Sequence, residues 1–262
     1  MDLGLAGKVA IVTGGSEGIG KATVRSLARE GARVVACARR QDVLRAAADE
    51  VAEDTGGEVV PIAADVRQPA DVARLVAQSV EGFGRLDILV NNAGTSRALP
   101  FEAATDDVWQ ENFDLKVFGA IRTIRAALPH LRAAGGGSIV NLLNIGAKQP
   151  GPRSLPTTAS RSAGLAITKA LSKELAADRI RVNAVLIGLV KAGQHETQWR
   201  EAGSPGTLEE YYAEKARGAA IPLGRMAESE EAGDLIAYLS SPRAAYITGV
   251  AVNFDGGASA VV

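Results

Sequence analysis

Short apolar runs alternate with longer amphipathic segments along most of the chain. Seven of the runs are rich in β-branched residues and lack polar alternation, which is typical of strands that are covered on both faces. They lie at 8–14, 32–38, 57–65, 86–94, 137–144, 180–188 and 249–257. The segments between them, such as 18–29 and 70–80, have helical spacing. Strand–helix repetition of this kind predicts right-handed crossovers and an α/β protein with a seven-stranded parallel sheet.

One domain is predicted for the 262 residues, because no linker, low-complexity tract or charge block interrupts the pattern. A polar helical stretch at about 207–217 breaks the strand rhythm after Gly188. Insertions at the carboxyl end of a strand often shape substrate pockets in such sheets. Residues 189–220 are therefore interpreted as a lid, with a solvated surface helix as an equal alternative.

Two predicted helices carry polar side chains on their apolar faces. Between 107 and 131 the apolar positions follow helical spacing, and Lys116 falls inside that stripe. The second helix extends from about 156 to 177. Thr157 and Arg161 are four residues apart near its start, so they share one face.

Composition restricts the partners of the protein. The formal net charge of -1 gives no electrostatic reason to expect nucleic acid or an anionic membrane. The single cysteine, Cys37, excludes an internal disulfide, and with two histidines no metal site is expected. We find no signal peptide and no apolar run long enough to span a bilayer, so a cytoplasmic protein is expected.

The segment TGGSEGIG between the first strand and the first helix is the clearest binding signal. Gly14, Gly18 and Gly20 permit a tight turn and a close approach of the backbone to a ligand. Free N–H groups at the start of the helix would face a pyrophosphate. The strand–turn–helix context favours a dinucleotide site over glycines that serve turn geometry alone.

The end of the second strand bears on the choice between NAD and NADP. An NAD site has a carboxylate there for the ribose 2′-hydroxyl, whereas this chain has Arg39 and Arg40. Arg39 could hold a 2′-phosphate by bidentate contact, which favours NADP and leaves NAD as the alternative. Glu17 in the turn argues mildly against NADP, since it would repel the phosphate. A solvated arginine pair is the other interpretation.

Further motifs follow along the chain. Beside the glycine turn at 13–20 there are ADV at 64–66, NNAG at 91–94, IRVNAV at 180–185 and DGG at 255–257. Together these motifs resemble the short-chain dehydrogenase/reductase family, especially its β-ketoacyl reductase branch. The resemblance implies a three-layer, doubly wound Rossmann-type fold, a nicotinamide cofactor and usually a homotetramer or homodimer. The residues predicted to bind the cofactor are Gly14, Ser16, Gly18, Ile19, Gly20, Arg39, Asp65, Val66, Asn92, Ala93 and Gly94.

The catalytic positions depart from the family's pattern. The family uses an asparagine, a serine, a tyrosine and a lysine, and the matching positions here hold Lys116, Asn144, Thr157 and Arg161. A threonine hydroxyl is too weak an acid to replace a phenol, and arginine stays protonated at accessible pH. The threonine that contacts the nicotinamide amide in the family is also replaced, by Ala192.

Of the four substituted residues, Lys116 is the one that can titrate. Its apolar stripe and the nearby Arg161 should lower its pKa, so we hypothesise that it moves the proton directly or through a water. The alternative is a lysine that fills space or forms an ion pair. Asn144 could donate an amide N–H to a carbonyl oxygen. Lys148 and Arg153 would add cations to the pocket if their proline-rich loop folded inward, although a solvated loop is favoured.

Three functions remain compatible with these residues. The preferred one is an NADP-dependent oxidoreductase that acts on a small carbonyl or alcohol, with an anionic or polar substrate as a plausible choice. The second is a non-redox enzyme on the same fold, such as a dehydratase, lyase or isomerase. The third is a nucleotide-binding homologue without catalytic activity. Fold alone does not separate them.

Overall fold

A parallel sheet forms the centre of the protein. The computed structural model describes residues 2–262. Its helices and strands are, in chain order, β1 (Val9–Thr13), α1 (Gly18–Arg29), β2 (Arg33–Ala38), α2 (Gln41–Thr55), β3 (Val59–Ala63), α3 (Pro69–Phe83), β4 (Ile88–Asn91), β5 (Ala98–Leu99), α4 (Asp106–Phe113), α5 (Gly119–Ala133), β6 (Gly137–Asn144), β7 (Leu155–Pro156), α6 (Thr157–Glu174), β8 (Ile180–Ile187), α7 (Gly193–Glu201), α8 (Leu208–Gly218), α9 (Ser229–Ser240) and β9 (Ala251–Phe254). The large sheet has the order β3-β2-β1-β4-β6-β8-β9, with all neighbours parallel. The predicted α/β fold with seven parallel strands is confirmed.

Helices cover both faces of this sheet. On one face α1, α2 and α9 pack against side chains such as Val12 and Val34, and on the other α3 and α5 pack against neighbours such as Ile11 and Val35. Successive strand residues point to opposite faces. All five residues of β1 are buried, which explains why the strand runs show no polar alternation.

The strand order reverses at β1, which pairs with β2 on one side and β4 on the other. Val12 is opposite Ala36 in β2 and Val90 in β4. The crossovers therefore leave in opposite directions from this point, and the loops at the carboxyl ends of β1 and β4 separate. In open α/β sheets a ligand crevice forms at such a switch point.

The predicted helix over 107–131 is not continuous. It divides into α4 and α5, which are joined by a π-helical turn at Asp114–Phe118. Gly119 N–H donates to the carbonyl of Asp114, which is the wider hydrogen bond of a π-turn. An expectation of one regular α-helix was therefore wrong, because one widened turn barely disturbs the apolar spacing. Lys116 lies within this turn.

Two short strands were not predicted. Ala98 pairs with Pro156 and Leu99 with Leu155, so β5 and β7 form a separate antiparallel pair. Strands of two residues leave no periodic pattern in the sequence. This pair fixes the start of α6, which begins at Thr157 and agrees with the predicted helix within a few residues.

The polar helix predicted at about 207–217 is present as α8. Thr207 caps its start by accepting a hydrogen bond from the Glu210 N–H, while the Glu210 carboxylate accepts one from the Thr207 N–H. This reciprocal cap explains why so polar a segment is helical. No helix within residues 2–262 is long and apolar enough to cross a membrane.

Candidate active site

The glycine turn after β1 forms a cradle for an anionic group. Gly14 and Gly18 have φ values of 69° and 51°, which lie in the left-handed region. A Cβ atom on Gly20 would overlap the carbonyl oxygen of Gly14. Helix α1 begins at Gly18 with no acidic side chain in its first turn and no side-chain cap. Its first N–H groups are free to bind a diphosphate, so the turn fits a dinucleotide.

An open crevice of about 1190 Å³ lies at the carboxyl ends of the central strands. All of the residues predicted to bind the cofactor line it, namely Gly14, Ser16, Gly18, Ile19, Gly20, Arg39, Asp65, Val66, Asn92, Ala93 and Gly94. The structure therefore brings together residues that are spread over 81 positions of sequence. Their role in binding stays a prediction.

Asn92 connects the loop after β4 to the glycine turn. Its Nδ2 donates to the carbonyl oxygens of Thr13 and Gly14 at 2.9 and 3.0 Å. The Thr13 hydroxyl accepts from the backbone N–H groups of Asn92 and Ala93, each at 3.1 Å. These bonds hold the two walls of the crevice at a fixed spacing.

Arg67 orients the carboxylate at the far end of the crevice and was not predicted. Its Nη2 lies 2.6 Å from Asp65 Oδ2, and its backbone N–H also donates to this carboxylate. The hydrogen bond from the Arg67 side chain is the main reason that the pKa of Asp65 is lowered from its ordinary value. Asp65 is therefore an ionised acceptor at neutral pH.

The two arginines after β2 have different partners. Arg40 pairs with Glu17 at 2.7 Å across the mouth of the crevice. Arg39 lines the crevice and makes no ion pair with any residue of 2–262. The predicted repulsion by Glu17 is thus offset by Arg40, and Arg39 remains available for a phosphate.

Thr157 and Lys116 form a buried polar contact at the inner end of the crevice. The Thr157 hydroxyl donates to the carbonyl oxygen of Arg97 at 2.7 Å and accepts from Lys116 Nζ at 3.0 Å. Both side chains are buried. Burial is the larger cause, and the charge of Arg161 the smaller, that lower the pKa of Lys116 to about 7.

Arg161 and Asn144 complete the same region. Arg161 Nη1 donates to the carbonyl of Leu142 at 2.9 Å, and its guanidinium lies against Gly94, where a Cβ would come within 2.7 Å of Nη2. Burial lowers the pKa of Arg161 to about 10, which leaves it charged at neutral pH. Asn144 ends β6, and its Oδ1 is buried without a partner. Asn144, Thr157 and Arg161 line the crevice, while Lys116 lies behind Thr157.

Helices α7 and α8 give the opposite wall a polar surface. His195 is buried and lines the crevice, and its Nδ1 lies 3.3 Å from Gln198 Oε1. Gln198 in turn accepts from Lys215 Nζ at 2.8 Å. Burial, followed by the charge of Lys215, lowers the pKa of His195, so the ring is neutral at pH 7.

The proline-rich loop does not add cations to the crevice. Lys148 Nζ donates to the Ala251 carbonyl and to Asn253 Oδ1, each at 3.0 Å, so it is bound to β9. Arg153 is exposed, and neither side chain lines the crevice. The positive charge near the inner end comes from Lys116 and Arg161.

Known proteins resemble this chain over nearly its full length. The profile of the family described as enoyl-(acyl carrier protein) reductase matches residues 14–259. The 3-oxoacyl-(acyl-carrier-protein) reductase of Thermotoga maritima is 33% identical over 256 residues, which cover 97% of this chain and 98% of that protein. The chain belongs to the short-chain dehydrogenase/reductase family.

Two solved structures have the same architecture as this chain. The L-sorbose reductase of Gluconobacter frateurii, in complex with NADPH and L-sorbose, superposes with a TM-score of 0.95 at 36% identity over the whole of both chains. An NADPH-bound short-chain oxidoreductase of Pseudomonas aeruginosa PAO1, described as containing an atypical catalytic centre, has a TM-score of 0.92 at 36% identity over 97% of this chain and 98% of that chain.

Two residues near the inner end of the crevice in this short-chain dehydrogenase/reductase were not predicted from the sequence. Arg97 contacts the Thr157 hydroxyl only through its backbone, so its side chain carried no signal. Asn112 is buried in α4, with Nδ2 3.5 Å from Thr157 Oγ1 and an Oδ1 that has no partner. Its position four residues before Lys116, on the same helical face, was the signal that could have revealed it.

Proposed function

We propose that the protein is an NADP-dependent oxidoreductase that interconverts a small carbonyl compound and its alcohol. Its centre is atypical, with Lys116, Asn144, Thr157 and Arg161 at the four catalytic positions. The observation that carries this proposal is the 3.0 Å contact between Lys116 Nζ and Thr157 Oγ1. A titratable amine thus contacts the hydroxyl of a residue that lines the crevice.

The residues of the crevice fit NADP. The N–H groups at the start of α1 would hold the diphosphate, and Arg39, free of carboxylate partners in the described chain, would bind the 2′-phosphate. Asp65 and Val66 would lie beside the adenine, while Arg161 would donate to the hydroxyls of the nicotinamide ribose. Both solved relatives hold NADPH, which supports this choice. When bound, NADP supplies the hydride acceptor or donor that the redox step requires.

Lys116 and Thr157 supply the proton in the proposed reaction. In the reductive direction the Thr157 hydroxyl gives its proton to the forming alkoxide oxygen and takes one from the Lys116 ammonium at the same time. The hydroxyl only rotates away from the Arg97 carbonyl and never ionises, so its own weak acidity does not limit the relay. The pKa of Lys116, near 7, suits a group that both gives and takes protons at neutral pH.

Asn144 would hold the oxygen of the substrate beside this relay. Its amide lies at the end of β6 in the wall of the crevice, and its buried Oδ1 lacks a partner. An amide offers an N–H donor to a carbonyl oxygen and a C=O acceptor to an alcohol. The same side chain could therefore bind the substrate in either direction of the reaction.

The substrate is proposed to be polar, and residues 189–220 to act as its lid within a single-domain enzyme. His195, Gln198 and Lys215 form a hydrogen-bonded row on the lid side. A long apolar chain placed against this row would leave its donors and acceptors unpaired. Hydroxylated ketones and ketoses are therefore the first compounds to test, and the relative solved with L-sorbose supports that order.

Two assays on the native protein test the proposal. NADPH and NADH are titrated while nicotinamide fluorescence is followed, and a panel of ketoses, hydroxyketones and keto acids is then added while absorbance at the nicotinamide band is recorded. Binding with oxidation of NADPH is expected. Substrate conversion without oxidation would favour the non-redox alternative, and binding with neither would favour an inactive homologue. Failure to bind either dinucleotide at millimolar concentration would overturn the proposal.

A homodimer or homotetramer is also proposed. Phe101 and Phe118 flank α4 and are 71% and 45% exposed in the single chain. Large apolar side chains of this kind are usual at subunit contacts. Light scattering of the purified protein measures the mass directly, and a value of one chain would contradict this part of the proposal.

A further inference from the structure

A small cavity of about 20 Å³ lies beneath the crevice, between the inner faces of α5 and α6 and the ends of β4 and β6. Lys116 and Arg161 are both part of its wall. A cavity needs about 10–15 Å³ on this measure to hold one water. The space therefore accepts a single particle of about the size of a water molecule.

The two positive groups in this wall have no counter-charge. No aspartate or glutamate lines the cavity, and neither Lys116 nor Arg161 makes an ion pair within the part of the chain that the structure describes. The repulsion from Arg161 contributes to the lowered pKa of Lys116. Buried charges are ordinarily paired, because an isolated ion loses its hydration without compensation.

The side-chain oxygens of the neutral wall residues are already engaged. Asn91 Oδ1 accepts from Thr123 at 2.6 Å, and Asn141 Oδ1 accepts from Asn91 at 2.9 Å. Asn141 Nδ2 donates to Thr168 at 2.9 Å. Each of these amides thus has a partner within the protein, which fixes its orientation.

The two cations of the wall carry N–H donors that have no partner. Arg161 Nε is buried without a partner. Lys116 Nζ has three N–H bonds and uses one for Thr157. A wall with two cations, unpartnered N–H donors and no carboxylate suits an anion better than a neutral water.

We propose that this cavity binds one halide ion, chloride under ordinary conditions, between the Lys116 ammonium and the Arg161 guanidinium. A carboxylate or phosphate has several heavy atoms and would not fit the volume. The bound halide would compensate the charges of both side chains. The site shares Lys116 and Arg161 with the proposed catalytic centre, but neither experiment below uses cofactor or substrate, so the two proposals fail independently.

Anomalous diffraction gives the first test. Crystals of the native protein grown in sodium bromide are measured at the bromine absorption edge. The expected result is an anomalous peak in the cavity, within hydrogen-bond distance of Lys116 Nζ and of an Arg161 nitrogen. A cavity that holds only a water without anomalous signal, or bromide at surface sites alone, would overturn the proposal.

Thermal melting gives the second test in solution. Because a ligand that binds only the folded state stabilises it, chloride or bromide should raise the Tm by about 2–4 °C over gluconate at equal ionic strength, with saturation. Lys116→Met should lose this difference. Lys148→Met removes a partly buried lysine elsewhere and should keep it. Equal melting curves in halide and gluconate for the native protein would contradict the site whether or not the variants fold.

Discussion

Lys116 and Thr157 are 41 positions apart in the chain, yet Nζ of the lysine lies 3.0 Å from Oγ1 of the threonine. The π-turn between α4 and α5 holds the lysine, and the short pair of β5 and β7 places the threonine at the start of α6. Neither feature is catalytic in itself. Together they bring a buried amine within hydrogen-bond distance of the Thr157 hydroxyl.

Replacement of Lys116 with methionine should lower kcat for carbonyl reduction by about 10²- to 10⁴-fold, the usual contribution of a proton-transfer group. Methionine keeps the unbranched side chain, one heavy atom shorter, and removes the titratable amine. Affinity for NADPH should remain close to the native value, because Lys116 does not line the cofactor crevice. Steady-state kinetics with Lys148→Met as the matched control measure this effect, and an unchanged kcat would exclude Lys116 from the chemistry.

Replacement of Thr157 with valine should give a similar loss, and the double variant with Lys116→Met should be no worse than either single variant. The two side chains act in one relay, so their effects should not add. Thr157→Ser keeps the hydroxyl and should retain much of the native rate. Losses in the double variant that equal the product of the single losses would show two independent roles.

The stability of the fold should depend on the pH through Lys116. Burial, with Arg161 as the second cause, lowers its pKa from 10.5 to about 7 in the folded protein. Between these two pH values the unfolded chain binds more protons, so the free energy of unfolding should rise with pH from about 7 to 10.5. Below pH 7 both states are protonated and the dependence disappears. The full change is of order a few kcal/mol.

Urea denaturation at pH 7 and 9.5 measures this change against Lys116→Met, which should lack it. The thiol of Cys37 acts in the opposite sense, because burial raises its pKa from 9.0 to about 12 and the unfolded chain loses its proton first. That contribution is common to both proteins, so it cancels in the difference. Equal pH dependence in the two proteins would show that Lys116 is not titrated as described.

Replacement of Arg39 with alanine should weaken NADPH binding by about 10- to 100-fold and leave NADH binding nearly unchanged. Charged hydrogen bonds to a phosphate are worth about 1.5–3 kcal/mol, and only NADPH has the 2′-phosphate. Arg40→Ala is the control, since Arg40 pairs with Glu17 instead. Fluorescence titration separates the two cofactors, and an equal loss for both would argue against a phosphate contact by Arg39.

Replacement of Gly20 with alanine should abolish dinucleotide binding or destabilise the fold, because the new Cβ would overlap the Gly14 carbonyl oxygen. Gly82→Ala in α3 is the matched control. Outside the backbone of its own helix, no atom lies within 4 Å of a Cβ at that position, and alanine there, next to the last residue of α3, should stabilise the protein by about 0.4–1 kcal/mol. Calorimetry and NADPH titration follow both changes, and a fully active Gly20→Ala protein would require a different turn.

The sequence predicts part of the site. The glycine turn, NNAG and Asp65 each lie at or just after the carboxyl end of a predicted strand, and the carboxyl ends of parallel strands meet at one edge. The lowered pKa of Lys116 was also predictable, since a charged group in an apolar helical stripe must be desolvated.

Other contacts gave no local signal. The pairing of Arg40 with Glu17 decides which arginine is free for a phosphate, yet the two residues are 23 positions apart and belong to different loops. Arg67 reaches back to Asp65 only because of the conformation of the turn after β3. The sequence around Asn112 does not indicate that its amide lies beside Thr157.

The sequence by itself determined the seven strands, the parallel sheet and the glycine turn, because each depends on residues within one element and its immediate connection. Only the tertiary structure decided that Lys116 contacts Thr157, that Lys148 is bound to β9 and that a buried lysine and a partly buried arginine share a cavity whose wall has no carboxylate. Periodicity reports which face of an element is buried. It does not show which side chains contact that face, because those contacts depend on how elements far apart in the chain pack together.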